Sequence, residues 1–331
     1  MANRESRHRR SQGEAYHHEE RPRKKRRGLW GCFGWVLLAF LIIGGGILAY
    51  SYYRIDQTGD AIYQPADADG AEPVEEVREE EVTVSDKEPI SILLMGMDSG
   101  GTRTTGEQNT DVMILVTINP NTQTAKMVSI PRDTYVSSID FKINGAYAMA
   151  GGASGSINAV QNLLNVPVDY YALVNMTGMM NIIDAIGGVS LYNDFSFSQD
   201  EYTFPEGQIT LETGAEALAY VRNRYDDPDG DYGRADRQRQ VLLAILDKYS
   251  DVSNIGSLGS LFDTVQANVV TDLTVSDMTQ LALNYRIDSE NVESTTLVGT
   301  GDMSTGIYYN ILSESQISET SAELREHLEL E

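Results

Sequence analysis

Two aspartates, Asp98 and Asp111, flank the segment SGGTRTTGEQNT, and five arginines crowd into YVRNRYDDPDGDYGRADRQRQ, residues 220–240. The apolar runs ISILLMGM (90–97) and VMILVTIN (112–119) read as buried strands, so Asp98 closes one and Asp111 opens the next. If these strands are neighbours, both carboxylates meet at one sheet edge. Paired carboxylates repel and call for a cation or a shared proton. Hard oxygen ligands with open positions suit magnesium, bound through carboxylates together with substrate phosphates. The plainer alternative is that both are turn-favouring aspartates. SIPRD (129–133) brings Arg132 and Asp133 out after a third strand, TAKMVSI (124–130). FKING (141–145) adds Lys142 and Asn144 beside a glycine that permits close backbone approach.

Arg222 and Arg224 are two apart, so on an extended segment they point the same way. DDPDGDYG then makes a turn. Arg234, Arg237, Gln238 and Val241 fall on one face of the following helix, with the valine end toward the core. Guanidinium forks held in this way match planar or tetrahedral oxyanions. Arg239 falls off that face and is expected to matter little. The chain carries a formal charge of −24, and its first 27 residues hold ten of the 25 Lys and Arg. The remainder is therefore strongly acidic, and nucleic acid is a poor target for it. A compact di-anion such as a pyrophosphate, backed by magnesium on the aspartates, fits better.

Residues 28–53 (GLWGCFGWVLLAFLIIGGGILAYSYY) contain no charge and are long enough as a helix to cross a hydrocarbon core of about 30 Å. Trp30, Trp35, Tyr50, Tyr52 and Tyr53 lie toward the ends, where amphipathic rings prefer the interface. The basic run RPRKKRR before it sets a cytoplasmic tail, 1–27, and an external remainder. An uncleaved anchor is favoured over a signal peptide, because the apolar stretch is long and no small-x-small cleavage site follows it. The single cysteine, Cys32, lies in this span, and three of the four histidines precede it. The external part therefore has no thiol nucleophile, and a Ser-His-Asp triad or histidine zinc site is excluded in practice. Its chemistry must run on carboxylates, Arg, Lys, hydroxyls and amides. Residues 54–89, acidic and poor in large apolar groups, are expected to be a mobile stalk, with a domain over 90–331.

SGSINAVQNLLN, MTGMMNIIDAIGG, GAEALAYVRNR, RADRQRQVLLAILDKYS, TVSDMTQLALNYRI and SESQISETSAELREHLEL read as helices, and DYYALVN as a further strand. Strands interleaved with helices imply a layered α/β domain. Met176, Met179, Met180, Ile182, Ile183 and Ile186 form a broad apolar surface, which could pack the core or adapt to an irregular apolar ligand.

The motifs LLMGMDS, NTDVMILVTINP, VSIPRDTYV, KINGAYAMAGG, IDAIGGVSL and ITLETGAEALAYVRNR…DYGRADRQRQ, in this order over about 90–250, resemble the LytR–CpsA–Psr family of bacterial cell-envelope proteins. The resemblance implies a three-layer α-β-α sandwich behind a single transmembrane helix, with a hydrophobic pocket for a lipid tail. It implies a phosphotransferase that moves a glycopolymer, teichoic acid or capsule or similar, from its polyprenyl-pyrophosphate carrier to peptidoglycan. Such a protein is expected in the plasma membrane of a Gram-positive bacterium, with its catalytic domain outside. On this resemblance Asp98 and Asp111 correspond to the magnesium-associated acids. Arg132, Arg222, Arg224 and Arg234 correspond to pyrophosphate-binding arginines, with Arg237 in the same cluster. Lys142, Asn144 and Gln238 are further polar site positions, and Asp133 and Asp231 are candidates with less defined roles, Asp133 as base. Asn109 stands where the family often has an arginine, and Arg103 in the same loop is a candidate replacement. Two other readings stay open from sequence: a hydrolase of the lipid pyrophosphate at the same site, and a non-catalytic envelope regulator or scaffold.

Overall fold

Strands β1 (Ile90–Met97), β2 (Thr110–Asn119) and β3 (Thr124–Ser129) form an antiparallel meander at the centre of the domain. In the computed structural model the described residues are 62–68, 71–78, 82–97, 109–224, 226–250, 268–285, 287 and 291–330. The tail 1–27, the apolar span 28–53, Asp98 and Arg103 lie outside them. Among the described residues no helix is long and apolar enough to cross a membrane.

The meander forms because its residues alternate between two apolar faces. Leu93, Met95, Met113, Leu115 and Val128 enter one core, while Ile92, Ile114, Val116 and Met127 enter another. A sheet apolar on both faces must be covered on both, which fixes a three-layer arrangement. The β2–β3 turn is closed by Asn119, whose side-chain oxygen accepts from the backbone N–H groups of Asn121 and Thr122.

The chain continues through the small hairpin β4 (Tyr135–Val136) and β5 (Phe141–Lys142), one helical turn α1 (Ala146–Met149), and α2 (Ala153–Leu164). Strand β6 (Tyr170–Asn175) then lies parallel to β1, as a helical crossover permits. Asn175 caps α3 (Met176–Ile186) by accepting the N–H of Gly178 at 2.6 Å, and Gly187 ends it in the left-handed region. Four short strands follow: β7 (Val189–Asn193), β8 (Phe197–Gln199), β9 (Tyr202–Phe204) and β10 (Gly207–Leu211). Next come α4 (Gly214–Arg222), capped by Thr213, and the long α5 (Asp231–Ser250). Strand β11 (Val269–Thr271), α6 (Val275–Asn284), β12 (Val292–Thr296), the hairpin β13 (Thr300–Asp302) and β14 (Tyr309–Ile311), and α7 (Glu314–His327) complete the chain. The main sheet runs β11-β6-β1-β2-β3-β12.

Helices α2 and α7 pack on the Leu93 face through Ile157, Val160, Leu164 and Leu324. Helices α5 and α6 pack on the opposite face through Leu242, Leu243, Met278 and Leu281. A third cluster, built on Phe197, Phe204 and Tyr220, ties α3, α4 and α5 to the short strands.

The expected mobile stalk over 54–89 is corrected in its described residues, where a few side chains and backbone contacts tie it to the domain. Ile62, Val82 and Val84 are buried in the α6-side core. Arg78 pairs with Asp169 at 3.0 Å, and the N–H of Gln64 donates to the carbonyl of Thr271 at 2.9 Å. An acidic average conceals a few apolar residues, and one arginine that finds a buried carboxylate.

Candidate functional site

The site is built where β1 and β2 leave the sheet. Met97 pairs with Thr110, and the register slips between Gly96 and Met97, a bulge of the kind that re-aims a strand end. A side chain at 96 would press on Val112, since a Cβ there would lie 3.0 Å from that residue's Cβ. Glycine is what allows the two strands to approach at the site.

From this edge four of the expected residues form a chain of alternating charge. Arg132, just after β3, donates from Nη1 to the Asp111 carboxylate at 3.0 Å. Its Nε lies 3.6 Å from Asp133, which accepts from the Lys142 ammonium at 2.5 Å. Lys142 reaches Asp133 because β5 pairs with β4 in the register Tyr135–Lys142. Asn144 supports the same turn: its backbone N–H donates to the Arg132 carbonyl at 3.2 Å. Arg234 and Gln238 approach from α5, so that Asp111, Arg132, Arg234 and Gln238 line one small pocket. The Asp111 and Arg132 side chains are 17% and 24% exposed, enough to meet a ligand while largely screened from water.

Behind this polar pocket lies an apolar cavity of about 110 Å3. Its sheet wall is Leu94, Val112, Ile114 and Val174, and its helical walls include Met176, Met179 and Ile182 of α3 and Leu242 and Ile245 of α5. Val112, Ile114 and Gln238 line both spaces, so the two adjoin. Of the six apolar residues expected as a soft surface, Met176, Met179 and Ile182 line this cavity, whereas Met180, Ile183 and Ile186 do not. The cavity walls contributed by Val112, Ile114 and Leu242 carry no sequence signal that separates them from ordinary core.

The arginine cluster divides. Arg222 ends α4, and the extended backbone at Asn223 carries the chain to Arg224, which lines an open groove beside Asp133. Arg237 does not join the anion pocket. Its side chain is 4% exposed and donates to the Asp227 carboxylate and to the carbonyls of Tyr220 and Asn223, against the Phe197 ring. Its helical position does point inward as the spacing predicts, but what it meets is Asp227. Gly233 makes room for that pair, since a Cβ there would lie 2.0 Å from the Asp227 carboxylate. Arg239, expected to matter little, is also buried. It donates to Ser129 Oγ at 2.7 Å and to Thr296 Oγ1 and Asp236, bracing α5 against β3 and β12. Burial lowers its pKa, and Asp236 opposes that shift. The helical-wheel argument fails there because β12, a mostly polar edge strand, covers the supposedly free face. Asp231 opens α5, three residues earlier than the sequence reading places the helix. The sequence reading gave Asp227 no role; within DDPDGD nothing singles it out.

A profile of the LytR_cpsA_psr family matches residues 49–326. The polyisoprenyl-teichoic acid–peptidoglycan teichoic acid transferase TagU of Halalkalibacterium halodurans is 41% identical over 293 residues, covering 87% of this chain and 94% of that protein. TagU of Bacillus subtilis is 39% identical over 298 residues, with 88% and 94% covered. The crystal structure of B. subtilis TagU superposes with a TM-score of 0.60 at 42% identity, covering 74% of this chain and 99% of that one. The structure of TagT bound to LIIa-WTA gives a TM-score of 0.65 at 31% identity, covering 78% and 97%. With this match over most of its length, in sequence and in fold, the chain belongs to the LytR–CpsA–Psr family.

Proposed function

We propose that this chain transfers a glycopolymer of the teichoic acid class from a polyprenyl-pyrophosphate carrier to a sugar hydroxyl of peptidoglycan. The observation that carries the reading is the adjacency of the apolar cavity to the Asp111, Arg132 and Arg234 pocket. An amphiphile with an apolar chain and a compact di-anionic head is the ligand such a pair of spaces fits. The relatives named as teichoic acid transferases support the same reading.

In the reaction the acceptor oxygen bonds to the phosphorus that carries the glycan. The bond from that phosphorus to the bridging oxygen breaks, and polyprenyl monophosphate leaves with the bridging oxygen. Arg132 and Arg234 hold the pyrophosphate and stabilise the negative charge that grows on the bridging oxygen. Asp133 accepts the proton of the acceptor hydroxyl, and Lys142, 2.5 Å away, keeps that carboxylate oriented. With no histidine in the site, leaving-group stabilisation carries most of the acceleration.

The described part of the site offers magnesium one hard carboxylate, Asp111, beside the anion pocket, and Asp98, outside the described residues, is the proposed second residue that would hold it. Among the described residues no group of three or more His, Cys, Asp or Glu is placed to bind a metal, and magnesium does not require one. It is commonly held by one or two carboxylates and the substrate's own phosphates. Bound there, it would neutralise pyrophosphate charge. The apolar span 28–53 is proposed as the membrane anchor that keeps the site near its lipid-linked donor.

The experiment is a reconstituted transfer with the full chain in lipid vesicles, a lipid-linked teichoic acid precursor and uncross-linked peptidoglycan. Covalent polymer on the glycan, abolished in Asp111→Ala, is expected. Unchanged transfer by that variant at limiting magnesium would reject the site.

A further inference from the structure

Beside the anion pocket runs a second, larger concavity, an open groove of about 1020 Å3. It is lined among others by Asp133, Arg224, Asp229, Tyr232, Asp236 and Tyr308. Neither the apolar cavity nor the anion pocket has room for a sugar chain, so the donor polymer and the acceptor glycan both need space of this kind. We infer that this groove binds the acceptor, a stretch of amino-sugar glycan strand, and delivers its hydroxyl to Asp133. The inference rests on the transfer reading and names the path by which its second substrate enters.

Three observations carry it. The first is direction. The apolar cavity and the groove share no lining residue, and the anion pocket, which adjoins the cavity, shares only Pro131 with the groove. Helix α5 shows the same division. Arg234, Gln238, Leu242 and Ile245 serve the pocket and cavity, while Tyr232, Asp236 and Arg239 serve the groove from another face. Phosphoryl transfer needs the attacking and leaving oxygens roughly in line. If the lipid phosphate leaves toward the cavity, the nucleophile must arrive from the side away from it. The groove, which shares no lining residue with the cavity, is the separate space from which it can come.

The second observation is the partition itself. Consecutive residues face different spaces: Arg132 lines the anion pocket and Asp133 lines the groove. A base placed on the groove side of the phosphate-binding arginine meets the acceptor hydroxyl and not the leaving group.

The third is lining chemistry. Tyr308 is 42% exposed and Val298 55% exposed along the groove, beside carboxylates and the hydroxyl-bearing Ser294, Thr295 and Thr296. Pyranose rings present apolar C–H faces and a rim of hydroxyls, so they suit an aromatic ring flanked by carboxylates and hydroxyls. An acyl chain would not accept those acids. A volume of about 1020 Å3 has room for more than one linked ring.

The test is Tyr308→Ala in the full chain, with Tyr192→Ala as an exposed tyrosine that does not line the groove. Transfer is measured against a soluble, uncross-linked peptidoglycan glycan fragment, and donor affinity is measured separately by titration with the lipid-linked precursor. For Tyr308→Ala the expected result is a KM for the glycan fragment raised about tenfold, with kcat at saturating acceptor and donor affinity close to wild type. Tyr192→Ala should leave all three unchanged. An unchanged acceptor KM in Tyr308→Ala overturns the inference. So does weakened donor binding with unchanged acceptor KM, which would give the groove to the donor's own sugars. A wild-type chain that binds the donor and transfers nothing to any glycan rejects the transfer reading instead, and is distinguishable from both.

Discussion

Arg237 is where the arginine cluster becomes structural, and Arg237→Ala tests that assignment. The substitution removes the partner of the Asp227 carboxylate, whose side chain is 2% exposed. It also strips a donor from the carbonyls of Tyr220 and Asn223. Breaking a buried ion pair from one side costs about 3–5 kcal/mol, because the remaining charge is left desolvated. In a domain of this size each kcal/mol moves Tm by roughly 2–4 °C, so the variant should melt about 6–20 °C lower. Thermal unfolding of the detergent-solubilised full chain, followed by near-ultraviolet circular dichroism, measures it. The double variant Asp227→Leu with Arg237→Met should recover much of the loss, since apolar replacement of a whole buried pair is often neutral. Arg237→Ala melting within about 2 °C of wild type would refute the reasoning. Arg237 would then be free to serve the ligand after all.

Three further outcomes follow from the same geometry. Burial pushes the Asp272 carboxyl from 3.8 up to about 7, with Asp277 and Asp169 adding to the rise and the Tyr171 N–H opposing it. Because the folded-state value is raised, this group's contribution is full below about pH 4 and is lost as pH climbs through about 7. Asp272→Asn, which keeps an acceptor for the Tyr171 N–H, should therefore flatten the decline in Tm over that window. Arg132→Lys keeps the charge but not the planar fork that meets Asp111, and should lower kcat/KM about tenfold to a hundredfold in the transfer assay. Met179→Trp should fill the apolar cavity and weaken a long-chain polyprenyl pyrophosphate while sparing a short-chain analogue, read by competition binding.

The central sheet was legible because residues such as Leu93 and Ile92 alternate with period two on faces that are both apolar. Helix ends were legible where capping chemistry is local, as at Asn175 and Gly187. The short strands β7 to β10 and the edge strand β12 were not. Strands β7 and β10 alternate in burial but over only five residues, β8 and β9 run three residues each, and β12 has no buried side chain, so the pattern is too short or too weak to mark them. That gap explains the misreading of Arg239, whose partners Ser129 and Thr296 lie on two strands joined only in the folded sheet. In the site, Asp111, Arg132, Asp133, Lys142, Arg234 and Gln238 could be named from type and spacing. Arg237 could not be separated from them, because the residue that captures it, Asp227, is one of several acids in a single turn.

The most direct test of transfer is to run the reaction in heavy-oxygen water with lipid-linked precursor and uncross-linked peptidoglycan, and to analyse the phosphorus of both products by mass spectrometry. Attack by a sugar hydroxyl predicts a phosphodiester on the glycan, one polyprenyl monophosphate released per polymer attached, and no label in either product. Label in the polymer-bound phosphate, with free polymer accumulating whether or not peptidoglycan is present, would mean that water is the nucleophile and would contradict the account.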